Sequence, residues 1–131
     1  MSARFAPHPG PRPSISLGIE LENSGAEPWA ATIFQPVVPW DLRAWVGGEE
    51  VRVRQPELDL QVRPRPVSLA PGERTELASP IVLIFEEDGE RPDSPFVWVL
   101  ATPPPDAVDL EATITASGEP LPLQRTTVRL P

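Results

Sequence analysis

From residue 14 to residue 22, apolar and polar positions alternate without a break. Ile15, Leu17, Ile19 and Leu21 fall on one side, and Ser16, Gly18, Glu20 and Glu22 on the other. A period of two is that of a strand with one buried face, and Asn23-Ser24-Gly25 supplies the turn that ends it. Residues 29–34 read as a second strand, apolar on both faces, stopped by Pro36 and Pro39. Residues 40–46 put Trp40, Leu42, Ala44 and Val46 on one face and Asp41, Arg43 and Trp45 on the other. Gly47-Gly48 then suits a tight hairpin, whose central residues need positive φ, and residues 51–54 return from it. Residues 57–63 alternate again through Leu58, Leu60 and Val62, Pro64 and Pro66 interrupt, and Val67-Ser68-Leu69 resumes. Pro71-Gly72 fits the two central positions of a type II turn. The continuous apolar run 81–85 predicts a central strand, as does 96–101, with an acidic loop at 86–93 between them. Residues 108–116 alternate once more, Gly118 and Pro120 turn the chain, and 125–130 closes it.

No segment carries the 3.6-residue period of an amphipathic helix, and the prolines explain why. Twenty of the 131 residues are proline, about three times the usual ~5%. A proline inside a helix removes a hydrogen bond and clashes with the preceding turn, at roughly 3 kcal/mol. Many short strands separated by Gly/Pro turns point to an all-β fold. The expectation is a single antiparallel β-sandwich of about seven to nine short strands over residues 14–131. Residues 1–13, with Pro7, Pro9, Pro11 and Pro13, are expected to form a separate extended Pro-rich arm.

Two turn patterns add a family likeness. The first strand ends Leu21-Glu22-Asn23-Ser24-Gly25, and Leu69-Ala70-Pro71-Gly72-Glu73 follows some way downstream. This pairing of an L-x-N-x-G strand end with an L-x-P-G-E turn resembles bacterial immunoglobulin-like sandwiches, among them the BsuPI-like intracellular proteinase inhibitors. The resemblance implies an immunoglobulin-like sandwich and carries no functional residues with it. The Asn-Pro-Thr-Thr-Gly loop of chagasin-type inhibitors is absent.

Charge and composition narrow the chemistry. Nineteen acidic residues face eleven basic ones, for a net charge of −8, which argues against nucleic acid or an anionic membrane surface as partner. All the basic residues are arginine, and there is no cysteine or tyrosine. Thiol, lysine and tyrosine chemistry are thereby excluded. The one histidine, His8, lies in the Pro-rich arm, away from the strands that would fix a general base. The densest acidic cluster offers Glu86, Asp88, Glu90 and Asp93 as calcium-ligand candidates, without the spacing of a calcium loop. No cofactor is implied. No apolar leader or membrane-length apolar run is visible, so a cytoplasmic protein is expected.

What remains is recognition. Among the four tryptophans, Trp98 shares a face with Phe96 and Leu100 and belongs in the core. Trp45 is the candidate for exposure, on one face with Arg43 and, across the hairpin, Arg52 and Arg54. The expected function is a non-catalytic protein-binding or assembly module, a subunit or accessory piece of a larger complex. Its candidate contact residues are Pro9, Pro11, Arg12, Arg43, Trp45, Arg52 and Arg54, with homo-oligomerisation through the arm or an edge strand as a further option. The alternatives are a protease inhibitor presenting the loop 86–95 and a carbohydrate-binding module stacking sugar on Trp45 or Trp40.

Overall fold

The computed structural model describes residues 1–9, 14–57, 60–86 and 97–130. Its regular elements are all strands: β1 (Ser2–Pro9), β2 (Ser14–Glu22), β3 (Trp29–Gln35), β4 (Arg43–Val46), β5 (Glu49–Val51), β6 (Val53–Arg54), β7 (Arg63–Leu69), β8 (Arg74–Leu77), β9 (Val82–Phe85), β10 (Val97–Leu100), β11 (Ala107–Glu111), β12 (Thr113–Ala116), β13 (Glu119–Pro122) and β14 (Thr126–Arg129).

They form four sheets. A six-stranded sheet runs β1-β2-β9-β10-β6, with β8 also on β2; a four-stranded sheet runs β14-β11-β4-β5; β12-β13 and β3-β7 are two-stranded. The all-β expectation stands, but the single immunoglobulin-like sandwich of seven to nine strands does not. Two interruptions split strands that alternation alone makes continuous, and a third sets off β8, a strand the alternation does not pick out. Residues 51–54 divide into β5 and β6, which join different sheets. Ala112 separates β11 from β12, and its C=O accepts the Leu123 N–H at 2.8 Å. Residues 78–81 separate β8 from β9 along one edge of β2, where the Ile81 C=O accepts the Leu17 N–H at 2.9 Å. In addition, β9 and β10 pair in parallel, and such a pair requires a crossover instead of a hairpin.

The Pro-rich arm is also corrected. Residues 2–9 form a full antiparallel ladder with β2, from Ser2↔Glu22 to Pro9↔Ile15. Ala3 and Phe5 are buried opposite Leu21 and Ile19. Together with Ile15, Leu17, Leu77, Leu83, Trp98 and Leu100 they belong to one hydrophobic core. Pro11 and Arg12 lie outside the described residues.

Pro7, Pro9, Pro64, Pro66, Pro120 and Pro122 all lie inside strands rather than between them. Each pair is spaced by two, in β1, β7 and β13. The residues opposite show which way these positions face. Leu17, opposite Pro7, sends its N–H away to Ile81. Thr32, opposite Pro66, turns away to Ser117. Thr113, opposite Pro122, donates to Asp41 Oδ1 at 2.9 Å. These prolines therefore occupy non-hydrogen-bonded pairs, and the side that lacks an N–H is the outer edge. A strand edge without donors is a poor template for another chain. Replacing both Pro64 and Pro66 by alanine should leave stability within about 1 kcal/mol. It should also make the protein associate at concentrations where the parent is monodisperse in light scattering. Unchanged scattering would show that β7 needs no such guard.

The two turn motifs meet in space. Asn23 is buried, and its side-chain amide donates to the Leu69 C=O at 3.0 Å and the Glu27 C=O at 2.8 Å. Its backbone donates to the Glu73 C=O at 2.9 Å and accepts from the Gly72 N–H at 2.7 Å. The Pro71-Gly72 turn closes as expected, with the Glu73 N–H on the Ala70 C=O at 3.0 Å and Gly72 at φ 84°.

Candidate functional site

Trp45 lies in β4, opposite Glu50 of β5 and Asp109 of β11. It is half-buried, and two guanidiniums lie over its ring: Arg43 with Cζ 5.1 Å from the centroid and Arg125 at 4.4 Å. Both arginines are already engaged by carboxylates. Arg43 is bidentate to Glu50, both bonds at 2.8 Å. Arg125 reaches Asp109 at 3.3 Å and Glu111 at 3.6 Å. Arg52 and Arg54 do not join them, because the chain changes sheets after Val51 and Arg54 pairs with Val99. The sequence-predicted Arg/Trp face is thus reduced to Arg43 and Trp45, with Arg125 added and the charges satisfied internally.

Hydrogen bonding sets the protonation of this cluster. The Thr127 hydroxyl, bonded at 2.5 Å, and then Arg125 hold the Asp109 carboxyl below its ordinary range. The Arg43 hydrogen bond does the same for Glu50, and Glu50 raises Arg43 in return. A carboxylate depressed in the folded state stabilises above its unfolded pKa, and that contribution is lost as pH falls through the folded value. Trp45 fluorescence, isolated as the difference from Trp45→Phe, should therefore stay constant down to about pH 4 and change below it. A midpoint between pH 6 and 7 would contradict this assignment.

His8 makes a contact of 2.7 Å from Nε2 to Glu76 Oε1, over Gly18. A Cβ at Gly18 would occupy the space of that carboxylate. His8 is thus tied to a strand partner on the surface. Of the calcium candidates, Asp88, Glu90 and Asp93 lie outside the described residues; Glu86 donates its N–H to the Leu100 C=O at 2.9 Å. Among the described residues no group of three or more His, Asp or Glu is placed to hold a metal.

The surface is most apolar elsewhere. Among the described residues, the exposed large hydrophobic side chains are Phe34 at 56%, Trp40 at 47% and Val62 at 46%. All three line one open groove of about 650 Å³, with Pro36, Val38 and Ile114 among its other apolar walls. Trp40 packs on the buried Trp98, with ring centroids 6.0 Å apart. Asp41, at the rim, is held by the Thr113 N–H. Trp98 is in the core, as its sequence position implies, but Trp40, not Trp45, is the exposed tryptophan. Trp40 precedes β4 and sits in a turn, so the period-two rule that buries Leu42 and Ala44 does not extend to it. Val62 carries no distinguishing signal in the alternation, and Phe34 carries a single one. An aromatic on the second apolar face of residues 29–34 was the one hint, since a two-stranded ribbon leaves that face open.

The chain matches no protein-family model, no curated protein and no solved structure. Among the described residues no helix is long and apolar enough to cross a membrane.

Proposed function

We propose that this chain is a non-catalytic protein-binding module, a subunit or accessory piece of a larger assembly, and that it binds through the groove formed by Phe34, Trp40 and Val62. The gathering of these three exposed hydrophobic side chains around a single concavity carries the reading. Scattered apolar residues on a surface need no explanation, whereas a contiguous patch with aromatic anchors is characteristic of an interface. The inventory of reactive groups supports it: no cysteine, lysine or tyrosine, and a single histidine tied to Glu76.

The exposed Trp40 also suits a second reading, stacking on a sugar ring. The neighbouring groups favour protein. Phe34, Val62, Pro36 and Val38 offer no hydrogen bonds from their side chains, and Asp41 Oδ1 is already engaged by the Thr113 N–H. A random-peptide display selection on the full chain tests both. Groove-dependent peptides should be enriched, and Phe34→Ser and Trp40→Ala should each weaken them about tenfold or more. Phe34→Ser should meanwhile leave stability within about 0.5 kcal/mol, as an exposed position does. Peptides indifferent to both substitutions, or glycan probes bound through Trp40 instead, would overturn the protein-binding reading.

A further inference from the structure

The groove lies where two strands part. Ser117, just beyond β12, donates its N–H to the Thr32 C=O of β3 at 2.8 Å, and its hydroxyl accepts the Thr32 N–H at 2.9 Å. Beyond that point the two strands belong to separate sheets, and Phe34, Thr113 and Thr115 line the opening between them.

The alternation established by the prolines shows what faces this opening. Thr32 points its backbone away from β7, so Phe34, two residues on and opposite Pro64, does the same. Thr113 points its N–H away from β13 to Asp41, so Thr115, opposite Pro120, also points outward. Thr32 and Thr113 have partners. Phe34 and Thr115 present N–H and C=O towards the groove with no ladder partner across it. Prolines block the outer sides of β1, β7 and β13, and the Ala3 C=O of β1 accepts the Gln124 N–H at 2.7 Å.

We infer that the opening between β3 and β12 accepts an extended polypeptide strand from a partner. Its backbone bonds to Phe34 and Thr115, and its apolar side chains rest on Phe34, Trp40 and Val62. The inference rests on the protein-binding reading and specifies its mode as strand addition, in which main-chain bonds give affinity and alternate side chains give specificity. Charge specifies the partner further. Arg63 and Arg65 are exposed on β7, beside Val62 and Gln35, and make no ion pair among the described residues. Arg65 donates to the Gln35 side-chain oxygen at 3.2 Å. In a chain of net charge −8, two cations with no ion pair among the described residues, on the strand that continues from Val62, complement a partner strand that alternates apolar residues with carboxylates.

The strongest peptide from the display selection is the probe. Thr115→Pro removes the N–H facing the groove while leaving the β12–β13 ladder intact, because that position is a non-hydrogen-bonded pair; Thr115→Val keeps the N–H. The expected result is about tenfold or greater loss of affinity in Thr115→Pro and none in Thr115→Val. The selected peptides should be rich in Asp and Glu, and Arg63→Ala with Arg65→Ala should weaken them about tenfold. If Thr115→Pro does not fold, hydrogen exchange on the parent protein decides: the bound peptide should slow the Phe34 and Thr115 amides at least about tenfold. Full affinity in a folded Thr115→Pro, or unchanged exchange at both amides while Trp40 responds, overturns strand addition and leaves groove binding standing. Neutral or basic selected peptides overturn the acidic partner. A selection with no groove-dependent peptide overturns both the mode and the function.

Discussion

Phe5→Ala should destabilise the protein by about 3–5 kcal/mol, the range for deleting a fully buried phenylalanine from a close-packed core. Phe5 is 2% exposed and sits opposite Ile19, on the edge strand of the six-stranded sheet with its ring in the hydrophobic core. The lost ring leaves a void between β1 and β2 that neither strand can fill alone, since eight consecutive residues of β1 are held in register with β2. Against a typical total of about 5–15 kcal/mol, that is a large share. Urea unfolding followed by tryptophan fluorescence measures it. A change below about 0.5 kcal/mol, the usual range for surface substitutions, would mean that residues 2–9 behave as a detached arm.

Asn23→Ala should cost about 2–3 kcal/mol, because it strands the buried Leu69 C=O and removes three side-chain hydrogen bonds. Its position amplifies the effect. The Asn23 amide joins the end of β2 to the end of β7, while its backbone holds the Pro71-Gly72 turn. Asn23→Asp separates hydrogen bonding from shape. A carboxylate there has no donor for the Leu69 and Glu27 oxygens and is repelled by both, so at pH 7 Asn23→Asp should be less stable than Asn23→Ala. Its folded-state pKa is raised, so relative to the parent it should recover as pH falls and the protonated acid donates again. Denaturation midpoints of the three proteins between pH 4 and 8 measure the order. An Asp variant equal to the parent at neutral pH would contradict the bonding assigned to the Asn23 amide.

Composition and periodicity reveal fold class but not topology, and particular residues show why. Ile15, Leu17, Ile19 and Leu21 alternate cleanly, and their strand lies where the pattern puts it. Gly47 and Gly48 form the expected hairpin at φ 58° and 83°. The same period-two signal is silent on partners. Nothing in Val51-Arg52-Val53-Arg54 states that Val51 serves one sheet and Val53 and Arg54 another. Proline misleads for a related reason. A proline reads as a break because it cannot donate, yet at every second position of an edge strand the ladder asks for no donor. Pro7, Pro9, Pro64, Pro66, Pro120 and Pro122 thus mark strand edges, which only the pairing register reveals.

The site was legible in part. Arg43 and Trp45 do come together, because both are fixed within one strand. The groove depends on residues distant in sequence: Phe34 from β3, Trp40 from a turn, Val62 from the approach to β7 and Thr115 from β12. A separation of strands held together by one pair of Ser117–Thr32 bonds leaves no trace in local periodicity. The spacing of prolines on β7 and β13 is the trace that does exist, since it leaves Phe34 and Thr115 facing outward.

The most direct test is a heteronuclear NMR titration of the full chain with the strongest display-selected peptide. The largest shifts should fall on the Phe34 and Thr115 amides, the Trp40 indole and Val62, with the Trp45 indole unmoved. Shifts centred on Trp45, Arg43 and Arg125, with the groove residues unchanged, would place recognition at the Trp45 cluster and contradict the account.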